Sequence, residues 1–142
     1  MQLLSAVVLF VLTAVSIAQS IVIGAPQPST TVTVGQSFNV QIQKPDTLTN
    51  SPEIALVIAI ASCASSPCLT PQEGLGTLLY NGSFNPQFQQ GSSLPPLQNF
   101  YVTVPNDFPT GAAQLNVANF ELIGAELYPN LQLLDTAITV AR

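Results

Sequence analysis

The stretch SFNVQIQ (Ser37–Gln43) decides the fold prediction, because its apolar and polar residues alternate without a break. Phe38, Val40 and Ile42 fall on one side of an extended chain, and the amide side chains between them fall on the other. A period of two residues is typical of a strand with one buried and one solvent-facing side. The alternation therefore predicts a half-buried antiparallel β-strand.

Segments of similar character continue outward from this strand, separated by Pro, Gly and Asn. Residues 54–61 have no polar position, and their β-branched content favours a strand covered on both faces over a buried helix. After Val117 the apolar phase changes to Ala118, Phe120 and Leu122, which predicts a β-bulge or bend. The remaining strands are predicted at residues 19–23, 30–34, 77–80, 100–104, 113–117 and 134–140.

The connections between these segments complete the fold prediction. Asn81-Gly82 is a strong turn dipeptide, residues 84–96 form a long loop, and residues 105–111 form a turn. Seven or eight short strands at this spacing predict an all-β fold, an immunoglobulin-like antiparallel β-sandwich. The Cys-Trp-Cys core of antibody domains is missing, since the chain has no Trp.

The first 18 residues are typical of a secretory signal peptide. An apolar run over residues 3–15 is followed by the small residues Ser16 and Ala18, a pattern that signal peptidase accepts. The competing interpretation is a membrane anchor, but the run is shorter than the roughly 20 residues needed to span a bilayer. We therefore expect cleavage after Ala18, a single domain over residues 19–142, no membrane span and a secreted, extracellular protein.

The composition excludes several classes of function. The chain has 6% charged residues, 2 Lys+Arg, 7 Asp+Glu and no His, whereas soluble domains carry roughly 25% charged residues. A catalytic triad with His and a His-bearing zinc site are excluded. Two cations cannot neutralise a nucleic-acid backbone, so nucleic-acid binding is excluded too. We expect neither a cofactor nor a bound metal.

Three residues are candidates for covalent modification. Cys63 and Cys68 are the two cysteines, and in a secreted chain an intramolecular disulfide is the default. Free or intermolecular thiols are the alternative. Asn81-Gly82-Ser83 is the one N-glycosylation sequon, placed at the predicted turn, and occupied and unoccupied Asn81 are equally compatible with it.

Carboxylates are the acid–base groups that the sequence offers, and they do not predict an active site. A glycosidase needs two of them flanking one bond. Glu121 and Glu126 flank Gly124 and could approach each other across a bend. Nothing else in the sequence builds a cleft around them, and solvated loop charges are the favoured interpretation. We expect no catalytic residue.

The long loop holds the candidate contact residues for a protein partner. Phe84 and Phe88 lie in it among polar residues. The favoured interpretation is that such side chains attach the loop to the core. If Phe84 and Phe88 are exposed instead, they offer an apolar contact patch.

With the strands placed, the mature chain resembles the fungal necrosis-inducing secreted protein family, small effectors of plant-associated fungi. The resemblance covers about residues 21–140. It rests on the order of six segments: PSTxxxxGxxFxV from Pro28, EIALxIAI from Glu53, LGxLLY from Leu75, NFxVTVP from Asn99, PxGxAxL from Pro109 and LIGAxxxP from Leu122. The CASSPC loop departs from the family pattern, which puts a partner surface near that loop in doubt.

The resemblance implies a secreted, non-catalytic effector that binds a host protein. Members are thought to cause plant cell death or to dampen immunity by binding immune receptor-associated kinases. One alternative is a structural or wall-associated β-sandwich without a host target, and a further one is a carbohydrate-binding module.

Overall fold

Eight β-strands build the structure, a computed structural model that describes residues 21–46 and 51–142. The predicted signal peptide and residues 19 and 20 of the first predicted strand lie outside the described residues. The strands are β1 (Val22–Ala25), β2 (Thr30–Thr33), β3 (Ser37–Gln43), β4 (Glu53–Ser62), β5 (Thr77–Gly82), β6 (Leu97–Thr103), β7 (Gly111–Ile123) and β8 (Tyr128–Ala141). The all-β prediction is confirmed.

The strands form two sheets that face each other as a sandwich. One sheet has three strands in the order β1-β3-β6, and the other has five in the order β2-β8-β7-β4-β5. All pairs are antiparallel except β2, which runs parallel to β8. The immunoglobulin-like sandwich prediction is confirmed in this arrangement.

The core lies between the sheets and is made of the side chains that alternate inward. Val40 and Ile42 of β3 are fully buried, and so are Leu56, Ile58 and Ile60 of β4. Fully burying one such aliphatic side chain contributes about 1.5–3 kcal/mol to folding. The alternation of the Ser37–Gln43 stretch therefore predicted which of its side chains enter the core.

The apolar strand β4 is covered on both faces along one part of its length. Ala59, on the face away from the core, has 1% of its surface exposed, whereas Ile54 is 46% exposed. The prediction of a strand with two covered faces therefore holds near Ala59 and is wrong near Ile54.

The bulge predicted after Val117 is wrong. β7 keeps an unbroken register with β8 from Gly111 to Ile123. Its inward series continues past Val117 to Asn119 and Glu121, which are 0% and 2% exposed. The apolar phase changes because the inner face becomes polar there. The register shift lies in β4 instead, between Glu53 and Ala55.

The turn predicted at Asn81-Gly82 is also wrong. Both residues continue β5, where Asn81 pairs with Val57 and Gly82 pairs with Leu56. The dipeptide favours a hairpin only when the next strand joins the same sheet. Here the next strand, β6, belongs to the other sheet, and the long predicted loop makes the crossing.

Candidate functional site

The outer face of the five-stranded sheet is divided into a covered half and a bare half. The covered half lies under residues 63–76, and the Cys63–Cys68 disulfide closes the first part of this segment with a Cα–Cα distance of 4.8 Å. Gln114 Nε2 donates to the Leu69 carbonyl at 3.0 Å, and Asn116 Nδ2 donates to the Leu75 carbonyl at 2.8 Å. Two buried amides of β7 thus hold the covering segment.

A second local motif shapes this covering segment. The Thr70 backbone N–H and hydroxyl both donate to Glu73 Oε2 at 2.8 Å. These two hydrogen bonds, the backbone one first, hold the pKa of the Glu73 carboxyl below its usual value. Glu73 therefore shapes an exposed turn.

The bare half of the same face is apolar and forms a hairpin-end patch, defined as Ile54, Phe120, Leu122, Leu131 and Leu133. Phe120 pairs directly with Leu131 across β7 and β8. Leu131 is 61% exposed and Ile54 is 46% exposed, while the other three are half-buried. These apolar side chains lie on three neighbouring strands, and apolar surfaces of this kind mark protein contacts.

The border of the hairpin-end patch is acidic. Glu126 lies in the turn between β7 and β8, and Asp135 follows Leu131 and Leu133 on the outer face of β8. Both carboxylates are exposed. The apolar surface is thus bordered by negative charge.

A buried ion cluster lies on the opposite side of the sheet from the patch. Lys44 Nζ forms ion pairs with Glu53 Oε1 and, at 3.0 Å, with Glu121 Oε2. It also donates to the Ser51 carbonyl at 3.0 Å. The Lys44 and Glu53 side chains are 11% and 7% exposed. Charges removed from water in this way require close partners on every side.

Amide side chains supply the remaining partners of the ion cluster. Asn119 Nδ2 donates to Glu53 Oε2 at 2.7 Å, and Asn130 Nδ2 donates to Glu121 Oε1 at 2.9 Å. Gln132 Nε2 also donates to Glu121, and Gln132 Oε1 accepts the Ile21 backbone N–H at 2.7 Å. The cluster therefore joins the start of the described chain to β4, β7 and β8.

The interpretation of Glu121 as a solvated loop charge is wrong. Glu121 lies inside β7 and is 2% exposed, while Glu126 lies in the exposed turn. The register of the hairpin places Glu121 inward, so the two carboxylates face different surroundings. A substrate cannot reach Glu121 while Lys44 and two amides surround it.

The structure separates the two candidate contact residues Phe84 and Phe88. Phe84 is 4% exposed, and its ring centroid lies 6.2 Å from that of Phe100. It belongs to the core, in agreement with the favoured interpretation, so the alternative of an exposed contact residue does not apply to Phe84. Phe88 is 68% exposed. Phe84 lies two residues after the end of β5, where the chain leaves one sheet for the other. At this position its ring is buried between the sheets.

Asn81 is exposed on β5, which is an edge strand. An edge strand has unpaired backbone groups on one side, and bulky or charged groups commonly protect such edges. Glycosylation of Asn81 stays a prediction, and a glycan there would cover the open side of β5.

Two further features are absent from the described residues. Within residues 21–46 and 51–142, no group of three or more Cys, Asp or Glu side chains is placed to hold a metal ion. No helix in this part of the chain is both long and apolar enough to cross a bilayer.

The fold and the surface together describe a small β-sandwich with an apolar outer face that is bordered by two carboxylates. The family model described as the Nis1 family matches residues 16–139. The chain therefore belongs to the Nis1 family, and the resemblance to necrosis-inducing secreted proteins is confirmed. This membership supports an effector-like protein.

Comparison of structures adds the likeness of the fold. A variant of superoxide reductase (neelaredoxin) from Ignicoccus hospitalis is similar at a TM-score of 0.54 and 15% identity, over 90% of this chain and 86% of that one. A second structure of superoxide reductase (neelaredoxin) from Ignicoccus hospitalis gives 0.51 and 14%, over 86% and 80%. At such identity the likeness shows the fold alone. A search of curated proteins finds no match.

The sequence interpretation missed the hairpin-end patch, although its signal was present. The change of apolar phase after Val117 marks the point where apolar side chains of β7 begin to face outward. A phase change in a long strand has two explanations, a bulge or an exchange of the two faces. The unbroken register with β8 shows that the two faces of β7 are exchanged.

Proposed function

We propose that this protein is a secreted, non-catalytic effector that binds a host protein through the hairpin-end patch. The exposed Leu131, directly paired with Phe120, is the observation that carries the proposal. Membership of the Nis1 family supports the effector role. An apolar surface spanning three strands supports a protein as the ligand, since such surfaces gain free energy when a partner removes them from water.

The charges around the patch define the partner further. The chain has two basic residues, Lys44 and Arg142. Lys44 is engaged inside the ion cluster, whereas Glu126 and Asp135 border the patch. A partner with an apolar centre and a basic rim is therefore complementary. By the resemblance, plant immune receptor-associated kinases are the class of partner to test first.

The test measures binding to a panel of purified plant immune receptor-associated kinases. Leu131→Asp is expected to weaken binding about tenfold or more, because it places a charge at the centre of an apolar contact. Tyr101→Asp is the matched control, since Tyr101 is 75% exposed on the other sheet. Phe88→Asp tests the long loop in the same way.

Each outcome of that test has a definite meaning. Loss of binding by Leu131→Asp alone supports the hairpin-end patch. Loss by Phe88→Asp alone places the contact on the long loop and overturns the assignment. Equal binding by all variants excludes both surfaces, and thermal unfolding of each variant verifies that it folds.

Secretion is part of the proposal and has its own experiment. The apolar run followed by Ser16 and Ala18 supports cleavage after Ala18. Intact mass of the protein recovered from culture medium should correspond to a chain that starts at Gln19, with the two cysteines oxidised. Retention of the full chain in the cell membrane fraction would contradict this expectation. Treatment with a glycosidase tests Asn81 in the same sample.

One observation favours the wall-associated alternative as a second candidate. The outer face of the three-stranded sheet has a ladder of amides, in which Gln43 donates to Gln41 at 2.8 Å and Gln41 donates to Asn99 at 3.3 Å. Tyr101 lies exposed beside it. Neutral amides with an aromatic ring suit a polysaccharide. Sedimentation with chitin or β-glucan that Tyr101→Ala abolishes would favour this role.

A further inference from the structure

We propose that the groove between β2 and β3 is a second binding site, which takes an extended, uncharged peptide segment by main-chain pairing. The groove is separate from the hairpin-end patch and does not depend on it. Its volume is about 320 Å³. It is lined by Pro26, Thr30, Thr31, Val32, Thr33, Gln36, Ser37, Phe38 and Asn39.

One wall of the β2–β3 groove is the open edge of β2. β2 pairs with β8 and ends the order of its sheet. The Val34 N–H donates to the Ala141 carbonyl at 2.9 Å. Because backbone groups of successive residues alternate in direction along a strand, the Thr31 and Thr33 N–H groups lie on the side away from β8. They are available to a strand placed in the groove.

The other wall is an uncovered part of β3. Its neighbour β1 ends with Ala25 opposite Gln41, and no described strand continues along Ser37–Asn39 on that side. The Val104 N–H donates to the Gln36 carbonyl at 3.3 Å, which places the even-numbered backbone groups toward β6. By the same alternation, the backbone groups of Ser37 and Asn39 face the groove.

The side chains of the groove select the ligand. Every lining residue is uncharged, and the half-buried Phe38 supplies an apolar surface. Among the residues that the structure describes, none donates a hydrogen bond to the buried Asn39 Oδ1. A buried acceptor without a partner is unfavourable.

These features favour a peptide over other ligands. Backbone groups on two facing strand edges are the groups that strand addition uses, and the Thr33 carbonyl is already engaged, since it accepts the Gln36 N–H at 3.1 Å. At about 3.3 Å per residue, a strand running along the four residues of β2 would be roughly four residues long. A neutral oligosaccharide could use the hydroxyls and amides but would leave the alternating backbone groups only partly paired.

The experiment titrates the isotopically labelled full-length secreted protein with the peptide acetyl-Ser-Val-Thr-Val-Ser-amide and follows backbone amide NMR signals. The control peptide has the same sequence with alternate backbone nitrogens methylated, so that it cannot donate along one edge. We expect shifts at Thr31, Thr33, Ser37 and Asn39. Methylation should weaken binding about tenfold or more, since several hydrogen bonds are lost together.

The remaining outcomes decide against the proposal. Equal binding of both peptides, or shifts outside the groove, would overturn main-chain pairing. Chitohexaose shifting the same four amides at lower concentration than the peptide would assign the groove to a glycan instead. If no amide signal shifts at millimolar peptide concentration, the groove does not bind the peptide.

A variant pair completes the test. Ser37→Pro removes one groove-facing N–H and should weaken peptide binding about tenfold, as Pro is tolerated at strand edges but cannot donate. Leu131→Asp should leave peptide binding unchanged. The proposal for the groove and the proposal for the hairpin-end patch can thus be contradicted independently. If Ser37→Pro does not fold, the comparison with the methylated peptide still tests main-chain pairing.

Discussion

The two halves of β7 have opposite chemistry. Between Ala113 and Val117 the inward side chains are apolar, and the outward amides are held under residues 63–76. Beyond Ala118 the inward side chains are Asn119 and Glu121, and the outward ones are Phe120 and Leu122. One strand with an unbroken register to β8 thus exchanges its faces about midway.

The difference shows that, at the hairpin end of this sandwich, the buried side chains are polar and the exposed side chains are apolar. At the covered half, the hydrophobic effect drives burial and the outer amides serve a local segment. At the hairpin end, the core volume is filled by an ion cluster, and the apolar residues lie outside. The cluster has two carboxylates and one ammonium, so it depends on its amides for the remaining hydrogen bonds. The exposed apolar face is the surface proposed to contact a partner.

The largest expected effect comes from removing the cation of the ion cluster. Lys44→Met leaves Glu53 and Glu121 buried beside each other without an ammonium group. Removing one partner of a buried ion pair typically destabilises a protein by about 3–5 kcal/mol. Urea unfolding of the variant and the wild type measures this loss directly.

A compensated variant tests the physical reason for that loss. Combining Lys44→Met with Glu53→Gln and Glu121→Gln removes all three charges and should recover most of the lost free energy of unfolding. No recovery would show that the methylenes of Lys44, and not its charge, support this end of the sandwich.

A smaller effect is expected at the covered half. Asn116→Leu removes the donor to the Leu75 carbonyl and the acceptor of the Gln114 Nε2 hydrogen bond, in a position that is 0% exposed. Leaving a buried carbonyl without its partner costs about 1–3 kcal/mol. Hydrogen exchange should also increase in residues 63–76, and protection equal to that of the wild type would contradict the role of Asn116.

The disulfide is expected to act on the same half with a comparable magnitude. Replacing Cys63 and Cys68 together by Ser opens a short loop, which the chain-entropy relation values at about 2 kcal/mol. Chemical unfolding with and without reductant checks this value. The hairpin-end patch should keep its partner binding in the double variant, which separates the two halves functionally.

Stability should hardly change when the exposed apolar residue at the other half is replaced. Leu131 is 61% exposed, so Leu131→Ser should change the free energy of unfolding by about 0.5 kcal/mol or less. Val117→Ala, at a fully buried neighbouring position of the hairpin, serves as the comparison and should cost more. A large loss for Leu131→Ser would show that the patch is structural.

The smallest effect concerns the pH dependence of the covered half. The folded pKa of Glu73 is lowered, chiefly by the Thr70 backbone N–H and then by its hydroxyl. Its contribution to stability is therefore present above the unfolded pKa and is lost as the pH falls through the folded pKa. In an NMR titration, Thr70→Ala should raise the Glu73 midpoint only partly, because the backbone donor remains. An unchanged midpoint would show that the Thr70 hydroxyl does not lower the pKa of Glu73.

Much of the fold could be predicted because it depends on local alternation. Ser37–Gln43 was predicted with its observed bounds, and its inward residues are those that alternation selects. The continuation of β5 through Asn81-Gly82 could not be predicted, because a hairpin dipeptide contains no information about the sheet that the next strand joins. The burial of Phe84 agrees with the favoured interpretation of the long loop, whereas the crossing between sheets that accompanies it could not be predicted from local sequence.

The candidate site was less predictable, because it depends on which residues meet across strands. Glu53 and Glu121 are far apart in sequence, and β4–β7 pairing brings them to the same lysine. Nothing local to Glu121 distinguishes it from the exposed Glu126 a few residues later. The patch was equally hidden, since Phe120 and Leu131 come together only through the hairpin register.

By itself, the sequence determined an all-β chain, its family membership and a charge content that leaves few acid–base groups. These properties follow from composition and from a two-residue period, which need no knowledge of distant contacts. Tertiary structure alone decided which face of β7 is buried beyond Val117. The reason is physical: a strand presents two faces, and only pairing with β4 and β8 places Lys44 against one of them and solvent against the other.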